Sequence, residues 1–168
     1  MGSTRDRFGG VVALAGAIAE CLEVSARELQ VVSAAARVYD VGKTEIPASV
    51  LHKPDALDDA EQQIMRGYPV IGARVLSAVD SLAALAPVVR AVHERWDGTG
   101  YPDGLVGDQI PRPARIIAVA AAYQAMTADR PYREALDHDT ALAELKRNAG
   151  SQFCPATVSA AAIALAGI

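Results

Sequence analysis

Few residue types in this chain can do chemistry. Histidine occurs three times, at His52, His93 and His138, and the two cysteines, Cys21 and Cys154, lie far apart with no neighbouring thiol. Three scattered imidazoles do not make a His-rich metal centre, and isolated thiols form neither a Cys-x-x-Cys site nor a disulfide framework. Reduced cysteines suit a cytoplasmic setting, which is the expected localisation. His52 and His138, in loop or helix-start contexts, read as surface residues. The remaining candidate feature is Asp97-Gly98-Thr99-Gly100-Tyr101-Pro102-Asp103-Gly104, continuing through Gly107 to Pro111. Its glycines and prolines predict a chain of tight turns, either a working loop or a rigid connector.

Composition restricts the frame that must position these residues. At 168 residues and 17.5 kDa, with 51% hydrophobic but only 5% aromatic content, the chain reads as one domain over 1–168. Its bulk of alanine, valine and leucine predicts closely packed helices. A net charge of −4 and a pI near 5.3 exclude a generally basic nucleic-acid surface. No apolar run is long enough to span a bilayer, so neither a nucleic acid nor a membrane is an expected partner. The stretch Val11 to Ala19, preceded by Arg5 and Arg7, has the look of a signal-peptide core. Glu20 and the continuing pattern Val11, Leu14, Ala15, Ile18, Leu22 instead predict an amphipathic helix. Met1-Gly2-Ser3 reads as an appended start on a piece of a longer protein.

About seven helices are expected. Ser25 and Glu28 have capping-box spacing, predicting a helix from Ala26 to Tyr39 with Leu29, Val32, Ala36 and Tyr39 on its inner stripe. Asp58 and Glu61 predict a third helix through Val79, burying Ile64, Tyr68, Ile71 and Val75. A fourth is expected over Ser81 to Trp96 and a fifth over Arg112 to Thr127. A sixth is capped by Asp137 or Asp139 and ends at Gly150, and a last one starts at Pro155. Tyr123 should be core, and Trp96 core or loop support.

Several segments occur in a recognisable order: Tyr39-Asp40-Val41-Gly42-Lys43, then Met65-Arg66-Gly67-Tyr68-Pro69, His93-Glu94-Arg95-Trp96-Asp97-Gly98-Thr99-Gly100-Tyr101-Pro102, and Asp129-Arg130-Pro131-Tyr132-Arg133. Together they resemble the HD-GYP family of the HD phosphohydrolase superfamily, over nearly the whole chain. The resemblance implies an all-α helical bundle of HD/HD-GYP type whose core holds a cluster of iron or manganese ions and hydrolyses cyclic di-GMP. In such chemistry bridged metals acidify a bound water and clamp phosphate oxygens.

Against that pattern, Arg7, Tyr39, Tyr68, Val92 and Ala121 stand where the family has metal ligands, leaving Asp40 and His93. Valine and alanine cannot coordinate, and a guanidinium repels a cation. The expectation is therefore no metal cofactor and no catalytic residue: a degenerate signalling domain. The alternative is a metal-dependent cyclic di-GMP phosphodiesterase with an altered centre, helped by Glu94 or water. Tyr39 and Tyr68 would fill the vacated volume and hydrogen-bond to His93 or Asp40, with Arg7 either inside the core or solvated near the terminus.

Lys43, Arg130 and Arg133 match family positions that line dinucleotide phosphates, though Arg130 could equally pair with Asp129. The Gly100-Tyr101-Pro102 turn matches a loop associated with GGDEF-type signalling partners. Tyr101 is either an interface anchor or packed on Trp96. Expected partners are thus a GGDEF-type or other signalling protein, a cyclic dinucleotide, and a second copy paired through alanine-rich helices.

Overall fold

The computed structural model describes residues 10–129 and 134–166. Its helices are α1 Val11–Cys21, α2 Ala26–Val38, α3 Ala48–Leu51, α4 Asp59–Arg66, α5 Tyr68–Ser77, α6 Ala86–Arg90, α7 Arg112–Thr127, α8 His138–Arg147 and α9 Pro155–Leu165. Among the described residues there is no strand, only two isolated bridges, Asp97 with Val106 and Ala149 with Phe153. The all-α class holds.

α1 is the hub. Leu14, Ala15, Ile18 and Ala19 are fully buried, and α1 packs against α2, α7 and α9. Each fully buried Leu or Ile contributes about 1.5–3 kcal/mol of transfer energy, while the alanines allow close helix approach. The facing stripe of α7 is Ala114, Ile116, Ile117, Val119, Ala120 and Tyr123. In α2, the Ser25 side chain accepts from the Glu28 amide at 3.1 Å, and Val32 and Ala36 are buried as predicted. Tyr39 caps that helix rather than ending inside it. No helix among the described residues is long and apolar enough to cross a membrane.

Three predicted elements differ. The continuous third helix is two, joined at Gly67. Asp58 and Glu61 form the reciprocal capping box that starts α4, at 2.9 Å each way. Pro69 supplies no amide hydrogen, so the chain restarts at Tyr68 with the proline in the first turn, where that donor would be unused. The break changes the buried stripe. Ile64 is exposed at 43%, whereas Tyr68, Pro69, Gly72, Ala73 and Leu76 face inward.

The long fourth helix is a 3-10 turn, Ala83–Leu85, followed by the short α6. Beyond Arg90 the chain unwinds, because Trp96 and Asp97 donate their amides to the carbonyls of Gln152 and Ser151 instead of continuing a helical ladder. Finally, α8 ends at Arg147. Asn148 caps it, and Gly150 takes φ +86 in the turn beyond. Asp137 is the residue that caps its start, accepting from the Thr140 amide at 2.8 Å.

α5, α6 and the 3-10 turn Val41–Glu45 form a second packing group. Gly42 is required there. A Cβ at this position would collide with the Tyr68 carbonyl oxygen and come within 2.7 Å of the Gly72 nitrogen. The Asp40–Lys43 segment is thus pressed onto the start of α5, which brings Lys43 over Tyr68.

Candidate functional site

A cleft of about 290 Å³ opens where these groups meet. Tyr39, Lys43, Tyr68 and His93 line one side, and Ala118, Ala121, Ala122 and Ala125 of α7 form an apolar wall. Tyr68 Oη and His93 Nε2 are hydrogen-bonded, with their rings edge-to-face at 5.2 Å. Tyr101 stacks on His93, ring centroids 5.3 Å apart and 4° from parallel. The Lys43 ammonium lies 5.2 Å from the Tyr68 ring centroid and the Arg66 guanidinium 5.5 Å from that of Tyr101, each within cation–π range.

The electrostatics keep this cluster neutral at its centre. Burial, and then the positive charge of Lys43, depress the His93 imidazole to about 4. Burial likewise pushes the Tyr68 phenol up, helped by Tyr101, Tyr39 and Asp40. Tyr39 is raised by burial and by neighbouring Asp40. The phenol keeps its proton and the imidazole carries no charge, so the bond joins two neutral groups.

The glycine-rich loop is clasped rather than free. Glu94, 5% exposed, accepts the amides of Asp103 and Leu105 at 2.7 and 3.0 Å. Arg90 grips Asp103 with two bonds of 2.7 Å, and the Tyr101 amide donates to the His93 carbonyl at 3.3 Å. Gly98, Gly104 and Gly107 take positive φ, conformations that favour glycine. Of the two placements expected for Tyr101, packing on Trp96 is not the one found. Its ring packs on His93, and the Trp96 face is covered by Arg115 at 5.5 Å.

Of the sequence-predicted site residues, Lys43, His93 and Tyr101 are brought together. Asp40 stays at the periphery, its carboxylate half-exposed and 3.8 Å from the Lys43 ammonium. Arg7, Arg130 and Arg133 lie outside the described residues. His138 is more than a surface residue, since Nδ1 is 2.9 Å from the hydroxyl of buried Tyr123. The sequence reading overlooked Arg66, which sits beside the expected Tyr68 position. It also overlooked the clasp made by Glu94, for which a carboxylate directly after His93 and before a glycine loop was the available signal.

An all-helical cleft with this order of motifs defines a class before any particular relative. The chain matches the HD domain family over residues 2–157 and belongs to it. It is 44% identical to the cyclic di-GMP phosphodiesterase response regulator RpfG of Xanthomonas campestris, over 88% of this chain and 39% of that protein. It is 38% identical to a cyclic di-GMP phosphodiesterase of Thermotoga maritima, over 88% of this chain and 40% of the relative. The chain therefore spans about two fifths of the length of these relatives. Among solved structures, a Bdellovibrio bacteriovorus protein described as an HDG"Y"P protein shares the fold with TM-score 0.73 at 18% identity, covering 94% of this chain and 50% of that one. A cyclic GMP-AMP specific phosphodiesterase of Vibrio cholerae does so with TM-score 0.68 at 20% identity, covering 90% and 41%.

This membership corrects one expectation. The relatives are named as cyclic di-GMP phosphodiesterases, the activity that the resemblance ties to a metal cluster, so a chain of this family is not to be read as cofactor-free from its ligand substitutions alone. The side chains present nevertheless do not fit the family's metal cluster. Among the described residues no three His, Cys, Asp or Glu side chains converge, Asp40 faces Lys43, and His93 Nε2 is engaged by Tyr68. Glu94, expected to help an altered centre, is committed to the two loop amides.

Proposed function

We propose that this chain is a cyclic dinucleotide-binding signalling domain of HD-GYP type, with cyclic di-GMP as the ligand class. The observation that carries the reading is the Lys43–Tyr68–His93 face of the cleft set against the alanine wall of α7. Lys43 offers a point charge to a phosphate, aromatic rings and small apolar side chains accept a base or ribose, and burial keeps the interior uncharged. The names of the relatives support the same ligand class. Arg130 and Arg133 would add phosphate contacts. A GGDEF-type or other signalling protein would dock at the partly exposed Gly100-Tyr101-Pro102 turn, and a second copy would pair through the alanine-rich helices.

A second reading, hydrolysis of the ligand, is favoured by those same names. The two are separated by one experiment. Protein purified with added iron or manganese is titrated with cyclic di-GMP by calorimetry, and the mixture is then assayed for linear dinucleotide. Saturable binding with the ligand recovered intact supports the binding domain. Stoichiometric metal together with turnover establishes the phosphodiesterase, and absence of binding defeats both.

A further inference from the structure

The cleft is small for the ligand it is read to hold. Its 290 Å³ lies at the lower edge of the range of about 300–1,000 Å³ typical of small-molecule sites. A cyclic dinucleotide carries two phosphates on one macrocycle between two bases, so one nucleotide half fills the cleft and the other half lies on its rim. Lys43 serves the interior. The question is which side chain meets the outer phosphate.

Three arginines stand near His93: Arg95 lines the cleft, Arg90 precedes His93 by three residues, and Arg66 is linked to it through the Tyr101 ring. Arg90 is spent on Asp103, held by two charge-assisted bonds. Arg95 is tied to Asp97 at 3.1 Å and to the Thr99 hydroxyl at 3.0 Å. Arg66 is different: it is exposed, ends α4, and has no carboxylate partner among the described residues. Its guanidinium is placed by the Tyr101 ring, which itself stacks on His93. Arg66, Tyr101, His93, Tyr68 and Lys43 thus form a continuous series with a cation at each end and neutral rings between.

We infer that Arg66 is a phosphate-binding residue, engaging the outer phosphate of a cyclic dinucleotide whose inner half sits against Lys43 and Tyr68. The inference rests on the ligand class proposed above. The planar guanidinium supplies a donor fork suited to phosphate oxygens. Resting on Tyr101, it has less side-chain freedom to lose on binding than a free surface arginine. Tyr101 is the positioning residue in this arrangement, and the Glu94 clasp holds Tyr101 in turn.

The test is equilibrium titration of the full chain with cyclic di-GMP at several salt concentrations, comparing the unaltered protein with Arg66→Gln, Lys43→Gln and Arg147→Gln. Arg147 is an exposed arginine on α8 paired with Glu144, and its substitution serves as the control. Arg66→Gln is expected to weaken binding by roughly tenfold or more and to flatten the dependence of log Kd on log salt, because a phosphate contact is screened by ions. Arg147→Gln should do neither. Unchanged affinity in Arg66→Gln overturns the inference, as does weaker binding with an unchanged salt slope, which would make Arg66 a support for Tyr101 alone. If the unaltered protein does not bind, the ligand class fails and the inference with it. Binding by the unaltered protein with an indifferent Arg66→Gln removes only the inference.

Discussion

The Tyr68 hydroxyl is hydrogen-bonded to Nε2 of His93, joining the start of α5 to the turn that follows α6. Burial on both sides keeps the phenol protonated and the imidazole uncharged. Tyr68→Phe preserves the ring and deletes the hydroxyl. The expected cost is about 1 kcal/mol of stability, the usual net value of one such bond, read by denaturant unfolding. Burial and the charge of Lys43, rather than this bond, depress the imidazole to about 4, so in Tyr68→Phe the His93 pKa should stay well below the ordinary value of about 6.5. Histidine NMR titration checks this.

A pH dependence follows from the same imidazole. The unfolded chain takes up a proton below about 6.5, whereas the folded chain does so only near 4. Between these values the unfolded state binds more protons, so the stability contribution is complete above about 6.5 and is lost as pH falls toward 4. Its size is on the order of 3 kcal/mol, from about 1.4 kcal/mol per pKa unit. Unfolding free energies measured between pH 4 and 7 should show this slope, and His93→Gln should flatten it.

The approach of Gly42 to α5 leaves no room for a side chain. In Gly42→Ala the new methyl meets backbone, the Tyr68 carbonyl on one side and the Gly72 amide on the other, so relief requires moving a helix start. A loss of about 2–4 kcal/mol is expected, with Lys43 displaced from the Tyr68 ring. Thermal unfolding gives the first result, and the tyrosine ring shifts in NMR give the second.

Removing the Glu94 carboxylate frees two amides. Glu94→Ala removes the acceptor of the Asp103 and Leu105 amides; with Asp103 exposed and Leu105 half-buried, the loss is about 0.5–1.5 kcal/mol for each bond. Hydrogen exchange at those two amides should accelerate well beyond that of α1 amides in the same variant. Equal acceleration throughout would mean that Glu94 serves global stability rather than the loop.

Much of the helical frame was legible from caps and periodicity. Ser25, Asp58 and Asp137 start helices where their side-chain oxygens predict, and Arg112 to Thr127 runs as expected. The misreadings have a common physical source. Around Pro69 and after Arg90, hydrogen bonds made over long sequence distances decide where the helix stops, and local pattern cannot report a Trp96 amide paired with Gln152. Resemblance pointed to Lys43, His93 and Tyr101, which the fold brings together around Tyr68. Their stacking was not legible, because it depends on Gly42 and Glu94 pressing a turn and a loop against α5. Arg66 escaped notice because an arginine beside a helix end is ordinary until the ring beneath it is seen.

The proposed function requires cyclic di-GMP to occupy the cleft between Lys43 and the α7 alanine wall. NMR shift mapping of the labelled chain during titration with cyclic di-GMP tests it most directly. Saturable shifts concentrated at Lys43, Tyr68, His93, Ala121 and Ala125 are expected. Saturable shifts centred elsewhere, or none at ligand excess, would contradict it.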